Sequence, residues 1–207
     1  MTEEIKNTKK GKDGPLYYLK ICLSLLLICS CVAVMLAGIN SLTAEKIAEN
    51  QQKKISDAII QIFPDLEDMG ILDTSFEETN VADVYLVKNK DGSYGYCANV
   101  LPKGFGGEMN VMVGVSDIGQ VVGVKVVALS ETAGLGSRVG ENEYLSQFAG
   151  KEYEIKLDTD GGVDSISGAT ISSKALLSGV NSALSVYEEV SAYFGNFNFE
   201  NGGETNE

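Results

Sequence analysis

The sequence contains no histidine, and this absence narrows the chemistry open to the chain. Without an imidazole group there can be neither a Ser-His-Asp nor a Cys-His catalytic arrangement, and no histidine ligand for a metal ion. Four cysteines are present, but only Cys97 lies outside the apolar segment near the N-terminus. The polar part of the chain therefore cannot close an internal disulfide. We expect no catalytic residue and no metal site.

Basic side chains are scarce beyond the N-terminal region. The formal net charge is -13, and the chain beyond residue 41 carries 11 basic and 26 acidic side chains. An acidic domain repels phosphate backbones, so nucleic-acid binding is not expected. No stretch resembles the glycine fingerprint of dinucleotide-binding proteins, so we do not expect NAD to bind this chain.

Residues 21–39 form a 19-residue stretch without a charged side chain. This length is sufficient for one helix to cross a bilayer, with Tyr17, Tyr18 and Lys20 at its entry. A cleaved signal peptide and a lipidated Cys31 are the alternatives. The apolar run is longer than a typical signal region and continues past Cys31, which favours a membrane span. Five lysines within the first 20 residues favour a cytoplasmic N-terminus.

The patterning predicts an α+β fold, with a curved antiparallel sheet packed by helices after the transmembrane helix. The expected division is a basic cytoplasmic tail over residues 1–20, a transmembrane helix over 21–40, a linker helix and acidic connector over 41–80, a ligand-binding domain over 81–194 and a disordered tail over 195–207. The linker helix should end at Pro64, followed by an irregular segment over 65–80. Strands are predicted over residues 81–87, 94–100, 110–115, 120–129 and 152–157, a short helix over 143–148, and a final helix over 171–194 capped by Ser172 or Ser173.

The most informative motif is Asp164-Ser-Ile-Ser-Gly-Ala-Thr170, directly before the final helix. It places a hydroxyl nucleophile, Thr170, on a turn of small residues, six positions after the Asp164 carboxylate. Backbone N–H groups at the start of the following helix are suited to holding an anion. For Asp164, the pattern favours an ordinary Asx-turn and a role at the Thr170 hydroxyl equally.

A second motif, Glu131-Thr-Ala-Gly-Leu-Gly136, follows the predicted strand over residues 120–129. Its two glycines permit close backbone approach to a flat ring. Leu135 is suited to contacting a ring face, while Glu131 and Thr132 are suited to hydrogen bonding at polar edges. By itself, such a loop is more often only a turn.

Together with the basic tail and the single span, these motifs resemble the FMN-binding domain family, over nearly the whole chain. This domain is shared by the G subunit of the Rnf ion-translocating oxidoreductase and the C subunit of the sodium-pumping quinone reductase. Ala133 replaces the proline that is usual in that family, and the chain length favours the Rnf branch. The resemblance implies that Thr170 carries FMN as a phosphoester, attached by a separate flavin transferase to which Asp164 helps present the hydroxyl. The other cofactor-binding residues that it implies are Asp164, Ser167, Gly168, Ala169, Glu131, Thr132, Gly134, Leu135 and Gly136.

The implied function is that of an electron-transfer subunit of a membrane translocase, not catalytic alone. Such a complex couples electron flow between ferredoxin and NAD to sodium or proton translocation. The implied partners are the other membrane subunits of the Rnf complex, a flavin transferase and the lipid bilayer. One alternative is a C-subunit-like flavoprotein of a quinone reductase or another extracytoplasmic flavin shuttle. A different class of alternative is a cofactor-free, membrane-anchored binding module.

The predicted localisation is a single-pass protein of the cytoplasmic membrane with its C-terminal domain outside the cytoplasm. Protease added to intact cells without an outer barrier should remove this domain while leaving the N-terminal tail attached to the membrane. Immunoblotting for tags at the two ends measures this directly. Full protection of the C-terminal tag would contradict the topology.

Overall fold

The computed structural model describes residues 15–74, 76, 79–197 and 199. Residues 1–14, which make up most of the predicted cytoplasmic tail, lie outside the described residues. Most of the predicted disordered tail over residues 195–207 lies outside them as well. The chain divides into two compact units, Met1–Asn50 and Gln51–Glu207. The elements are α1 (Pro15–Ile62), β1 (Leu66–Leu72), β2 (Val81–Asn89), β3 (Tyr94–Val100), β4 (Met109–Ser116), β5 (Val121–Leu129), a 3₁₀ turn (Gly136–Gly140), α2 (Asn142–Leu145), a second 3₁₀ turn (Ser146–Phe148), α3 (Thr170–Ser185) and α4 (Tyr187–Ser191).

The described part of the first unit is helical, and its residues 21–39 carry no charged side chain. Its large hydrophobic side chains, from Leu16 to Ile39, are exposed. The helix Leu16–Ile62 is long and apolar enough to cross a membrane. Exposed aliphatic side chains on a helix of this length are typical of a lipid-facing segment.

The second unit is built on a five-stranded antiparallel sheet in the order β1-β2-β3-β4-β5. Successive strands are neighbours, so every connection is a hairpin or a short loop. The sheet and the helices that cover it confirm the α+β class. Of the predicted strands, the one over residues 94–100 agrees at both ends, and those beginning near residues 81, 110 and 120 agree within two residues at each end.

Both faces of the sheet are buried, and the alternation of side chains along β4 shows how. Val111, Val113 and Val115 point into a core that also contains Leu176 and Val180 of α3. The intervening residues face the other way, where residues 55–63 pack on the sheet around Cys97 and Met112. Because side chains alternate along a strand, the same strand supplies both cores.

The last turns of α1 approach the sheet closely because glycine occupies the contact. A Cβ atom at Gly114 would overlap Cγ2 of Ile62 and would lie 3.0 Å from a ring carbon of Phe63. At the paired position on β5, Gly123, a Cβ atom would lie 3.7 Å from Ile62, which is an ordinary contact. The backbone of β4 at Gly114 therefore has no room for a side chain.

The structure corrects the prediction of an irregular connector over residues 65–80. Leu66–Leu72 is β1 and pairs with β2 along the edge of the sheet. Its sequence is interrupted by acidic residues, and its apolar side chains are divided between the two faces of the sheet. Leu72 belongs to the core that contains Leu176, whereas Leu66 and Met69 pack against the cluster formed by residues 55–63. Phe197 is also buried, although it lies in the predicted disordered tail. Its ring lies against Gly70 of β1, where a side chain would clash.

The strand predicted over residues 152–157 is wrong. Within the described residues, this segment makes only an isolated bridge, between Leu157 and Val163. The Asn181 side chain accepts a hydrogen bond from the Ile155 amide at 3.0 Å and donates one to the Ile155 carbonyl at 2.8 Å. A side-chain amide therefore takes the place of a neighbouring strand.

The final helix is shorter than predicted and begins one residue earlier. It spans Thr170–Ser185, and α4 follows after Val186. Neither Ser172 nor Ser173 is its N-cap, since both lie within the first turn and are buried. The N-cap residue is Ala169, and among the described residues no side chain caps this helix end.

We predict that Gly114→Ala lowers the free energy of unfolding by about 1–3 kcal/mol, because its Cβ atom overlaps Ile62 in a packed core. Gly123→Ala is the matched control on the same face and should be neutral or stabilising. Denaturant unfolding of the full chain in detergent micelles, followed by tyrosine fluorescence, compares the two. Equal effects of both substitutions would contradict this account of the contact.

Candidate functional site

A cleft of about 470 Å³ lies between the loop that follows β5 and the N-terminus of α3. This volume is within the usual range for small-molecule sites. The two sequence motifs, which are separate in the chain, form its walls. The residues that line it are Phe105, Glu131, Thr132, Leu135, Gly136, Gly168, Ala169, Thr170, Ile171 and Ser172.

Glu131 connects the loop after β5 to the glycine-rich loop before β4. Its Oε1 accepts a hydrogen bond from the Phe105 amide at 2.9 Å, and its Oε2 accepts one from the Gly106 amide at 3.1 Å. A Cβ atom at Gly104 would overlap the Glu131 carboxylate, and one at Gly106 would overlap the Ser130 carbonyl. The absence of side chains at these glycines thus lets the two loops touch.

The loop from Glu131 to Gly136 is folded by its own backbone. The Thr132 carbonyl accepts hydrogen bonds from the amides of Leu135, at 3.3 Å, and Ser137, at 3.1 Å. Gly134 has φ of +76°, a conformation that favours glycine, and its amide donates to Oγ of Ser137 at 2.9 Å. The turn leaves the Leu135 side chain half exposed at the cleft.

The second wall is the turn that leads into α3. Gly168 has φ of +80°, and the Ala169 amide donates to the Ile166 carbonyl at 2.9 Å. The Ile166 amide in turn donates to Oγ of Ser173 at 3.1 Å, which holds the turn against the helix. Thr170 is the first residue of α3, and its side chain is exposed in the cleft.

Asp158 supports this turn from the side. Its carboxylate accepts hydrogen bonds from the amide and the hydroxyl of Ser165, at 2.8 and 2.9 Å. These two hydrogen bonds lower the pKa of Asp158 below its usual value. Within the described residues, no group of three His, Cys, Asp or Glu side chains is placed to hold a metal ion.

The structure brings seven of the ten predicted site residues to the cleft. Asp164, Ser167 and Gly134 do not line it. The Asp164 amide donates to Oε1 of Gln147 at 3.0 Å. Asp164 itself is exposed, and the role of its carboxylate in presenting the Thr170 hydroxyl stays a prediction.

Three lining residues were not among those predicted. Phe105 lies in the glycine-rich stretch over residues 104–107, which the sequence suggests first as a hairpin loop and second as a border of the site. Ile171 and Ser172 lie in the first turn of α3. No periodicity of the sequence identifies them, because their place in the cleft depends on where α3 begins.

The part of the chain that contains this cleft is similar to known proteins. The family model for the FMN-binding domain matches residues 104–185, which include every residue lining the cleft. A solved structure with a similar fold is the C subunit of the Na(+)-translocating NADH-quinone reductase from Parabacteroides distasonis. It has a TM-score of 0.52 and 18% sequence identity, and the match covers 73% of this chain and 94% of that chain. At this identity the likeness shows the fold alone.

Curated relatives match most of the chain. The G subunit of the Na(+)-translocating ferredoxin:NAD(+) oxidoreductase complex of Acetobacterium woodii is 29% identical, covering 83% of this chain and 92% of that protein. The G subunit of the ion-translocating oxidoreductase complex of Shewanella piezotolerans is 28% identical, over 75% and 82% respectively. The G subunit of the proton-translocating ferredoxin:NAD(+) oxidoreductase complex of Clostridium ljungdahlii is 25% identical, over 83% and 91%. The chain is similar to these G subunits over most of its length, and residues 104–185 match the FMN-binding domain of that family.

The cleft residues fit a phosphorylated flavin. Gly168 leaves space at the turn, since a Cβ atom there would meet only Leu135, at 3.6 Å. The exposed apolar side chains of Phe105, Leu135 and Ile171 suit a flat ring, and the N-terminus of α3 suits a phosphate.

We predict that Glu131→Ala accelerates deuterium exchange at the amides of Phe105 and Gly106 by about tenfold, because each loses a charged acceptor. Glu131→Gln is the matched control and should have a smaller effect, since it retains one acceptor oxygen. Exchange is measured by mass spectrometry on the full chain in detergent micelles. Unchanged exchange in Glu131→Ala would show that the carboxylate does not hold this loop.

Proposed function

We propose that this chain is the electron-transfer subunit of an ion-translocating membrane complex and that it carries FMN as a phosphoester on Thr170. The observation that carries this proposal is the position of Thr170. Its hydroxyl is exposed at the first residue of α3, in the same cleft as the Glu131–Gly136 loop. The relatives' names support the assignment to a complex that moves electrons between ferredoxin and NAD.

The chain's own residues position the cofactor. The N-terminus of α3 offsets the negative charge of the phosphoester, and Gly168 leaves room beside it. Leu135 and Ile171 supply apolar contacts that exclude water from a flat ring, while Glu131 keeps the Phe105 loop in place. When bound, FMN supplies transfer of one or two electrons, and the protein sets its position and electrostatic surroundings.

The proposed partners are the other membrane subunits of the complex and, for maturation, a flavin transferase. Relatives of this chain belong to both sodium-translocating and proton-translocating complexes, so either ion is compatible with the proposal. The exposed apolar part of α1 supports a single membrane anchor. We propose that the N-terminus is cytoplasmic and that the FMN-binding domain is extracytoplasmic, from the lysines before the span.

We predict that Thr170→Val abolishes covalent flavin, because the change removes the hydroxyl and keeps the shape of the side chain. Thr170→Ser should retain attachment. The protein is produced with a flavin transferase, denatured and digested, and the flavin is located by peptide mass spectrometry. Because Thr170 is exposed, the Val variant should keep its free energy of unfolding within about 0.5 kcal/mol.

Two outcomes would contradict the proposal. Covalent flavin at normal occupancy in Thr170→Val would move the attachment to another residue. An unmodified Thr170 peptide in the unaltered chain would favour a cofactor-free binding module, provided that the transferase modifies a control substrate in the same cells.

A further inference from the structure

Two hydrogen bonds connect the motif over residues 164–170 to a carboxylate that lies outside it. The Ser165 amide donates to Oδ1 of Asp158 at 2.8 Å, and the Ser165 hydroxyl donates to Oδ2 at 2.9 Å. Gln147 holds the preceding residue through a single hydrogen bond, from the Asp164 amide at 3.0 Å. Among the described residues, Asp158 therefore accepts more hydrogen bonds from the motif than any other side chain outside it.

The backbone of Asp158 is itself fixed to the core. Its amide donates to the Val163 carbonyl at 2.9 Å, and the Val163 amide donates to the Lys156 carbonyl at 3.0 Å. Val163 is buried in the core that also contains Leu176 of α3. Asp158 has φ of +50°, in the left-handed region that aspartate and asparagine adopt more readily than most residues with a side chain. The carboxylate thus extends from a backbone position that the fold holds in place.

A short series of hydrogen bonds leads from Ser165 to Thr170. The Ile166 amide, which follows Ser165, donates to Oγ of Ser173 at 3.1 Å, and the Ile166 carbonyl accepts the Ala169 amide at 2.9 Å. Ala169 directly precedes Thr170, which is the first residue of α3. A displacement of Ser165 therefore reaches Thr170 through this turn.

We propose that Asp158 is a positioning residue for the attachment of FMN, because it holds the motif through Ser165 so that the Thr170 hydroxyl is oriented for transfer. This inference rests on the proposed function and assigns a role to a residue outside the motif. With FAD as the flavin donor, the Thr170 oxygen forms a bond to the phosphorus of the FMN half, and the bond from that phosphorus to the bridging oxygen breaks. AMP leaves with that oxygen, and the hydroxyl proton passes to the transferase. Asp158 acts through Ser165 and not on the reacting atoms.

The substitution that tests this role is Asp158→Gly, since glycine adopts φ of +50° without strain and removes the carboxylate. The full chain in detergent micelles is incubated with a flavin transferase and FAD, and covalent flavin is measured after denaturation at a series of chain concentrations. A misplaced nucleophile slows group transfer steeply, so kcat for attachment should fall about tenfold. Because orientation changes and docking does not, KM for the chain should change by less than about twofold.

Asp158→Asn is the matched variant at the same position. Asparagine also adopts φ of +50°, and its side chain offers an oxygen to the Ser165 amide and an NH₂ group to the Ser165 hydroxyl oxygen. This variant should therefore recover kcat to within about threefold of the unaltered chain. Asp160→Gly controls for the lost charge and the added flexibility in the same exposed loop, and it should leave the attachment rate unchanged.

Deuterium exchange provides a readout that does not depend on the flavin. In the unmodified chain, Asp158→Gly should accelerate exchange at the Ser165 amide by about tenfold, because this amide loses a charged acceptor. Asp158 is exposed, so the thermal midpoint of unfolding should shift by no more than about 2 °C. A slower attachment with an unchanged midpoint separates positioning from a general loss of folded protein.

Attachment of flavin to Asp158→Gly at the rate of the unaltered chain would overturn the inference. An equal loss in Asp160→Gly, or no recovery in Asp158→Asn, would also overturn it, because the effect would then belong to the charge or flexibility of the loop. If Thr170 of the unaltered chain stays unmodified by a transferase that modifies a control substrate, the proposed function fails and this inference fails with it. Equal modification of the unaltered chain and all variants would contradict this inference alone.

Discussion

The cleft depends on the two hydrogen bonds that the Glu131 carboxylate accepts from the backbone of Phe105 and Gly106. Glu131 lies two residues after β5, and the glycine-rich loop directly precedes β4. Because β4 and β5 are antiparallel neighbours, the end of one lies beside the start of the other. The carboxylate therefore joins two loops that the sheet register has already brought together. Without this link, the Phe105 loop would have no described side chain holding it at the cleft.

The sheet also determines where α3 can lie. Val111, Val113 and Val115 form one buried face of β4, and Leu176 and Val180 of α3 pack in the same core. At Gly179, a Cβ atom would come within 2.9 Å of Pro102, so the helix is in close contact with the segment after β3. This packing directs the N-terminus of α3 toward the loops after β3 and β5. The uncapped helix end and the Glu131 loop thus face the same space.

The strands, their hairpins and the apolar membrane segment could be predicted from the sequence because their signals are local. Short runs rich in valine and tyrosine, bounded by turn residues, mark β2 to β5, and an uninterrupted apolar run marks the span. Edge strand β1 was missed because acidic residues interrupt its apolar pattern, and its few apolar side chains are divided between the two faces of the sheet. The false strand over residues 152–157 has a strand-like composition, but Asn181 satisfies the Ile155 backbone in place of a neighbouring strand.

By itself, the sequence determined the α+β class, the apolar helix and the two motifs that meet at the site, since each depends on residues close together in the chain. Only the tertiary structure decided which residues of those motifs share one cleft. It brought Phe105 and Ser172 to that cleft and left Asp164 outside it. The physical reason is that these positions follow from strand register, from the packing of α3 on the sheet and from the residue at which that helix begins. All three depend on contacts between distant segments, which no local pattern records.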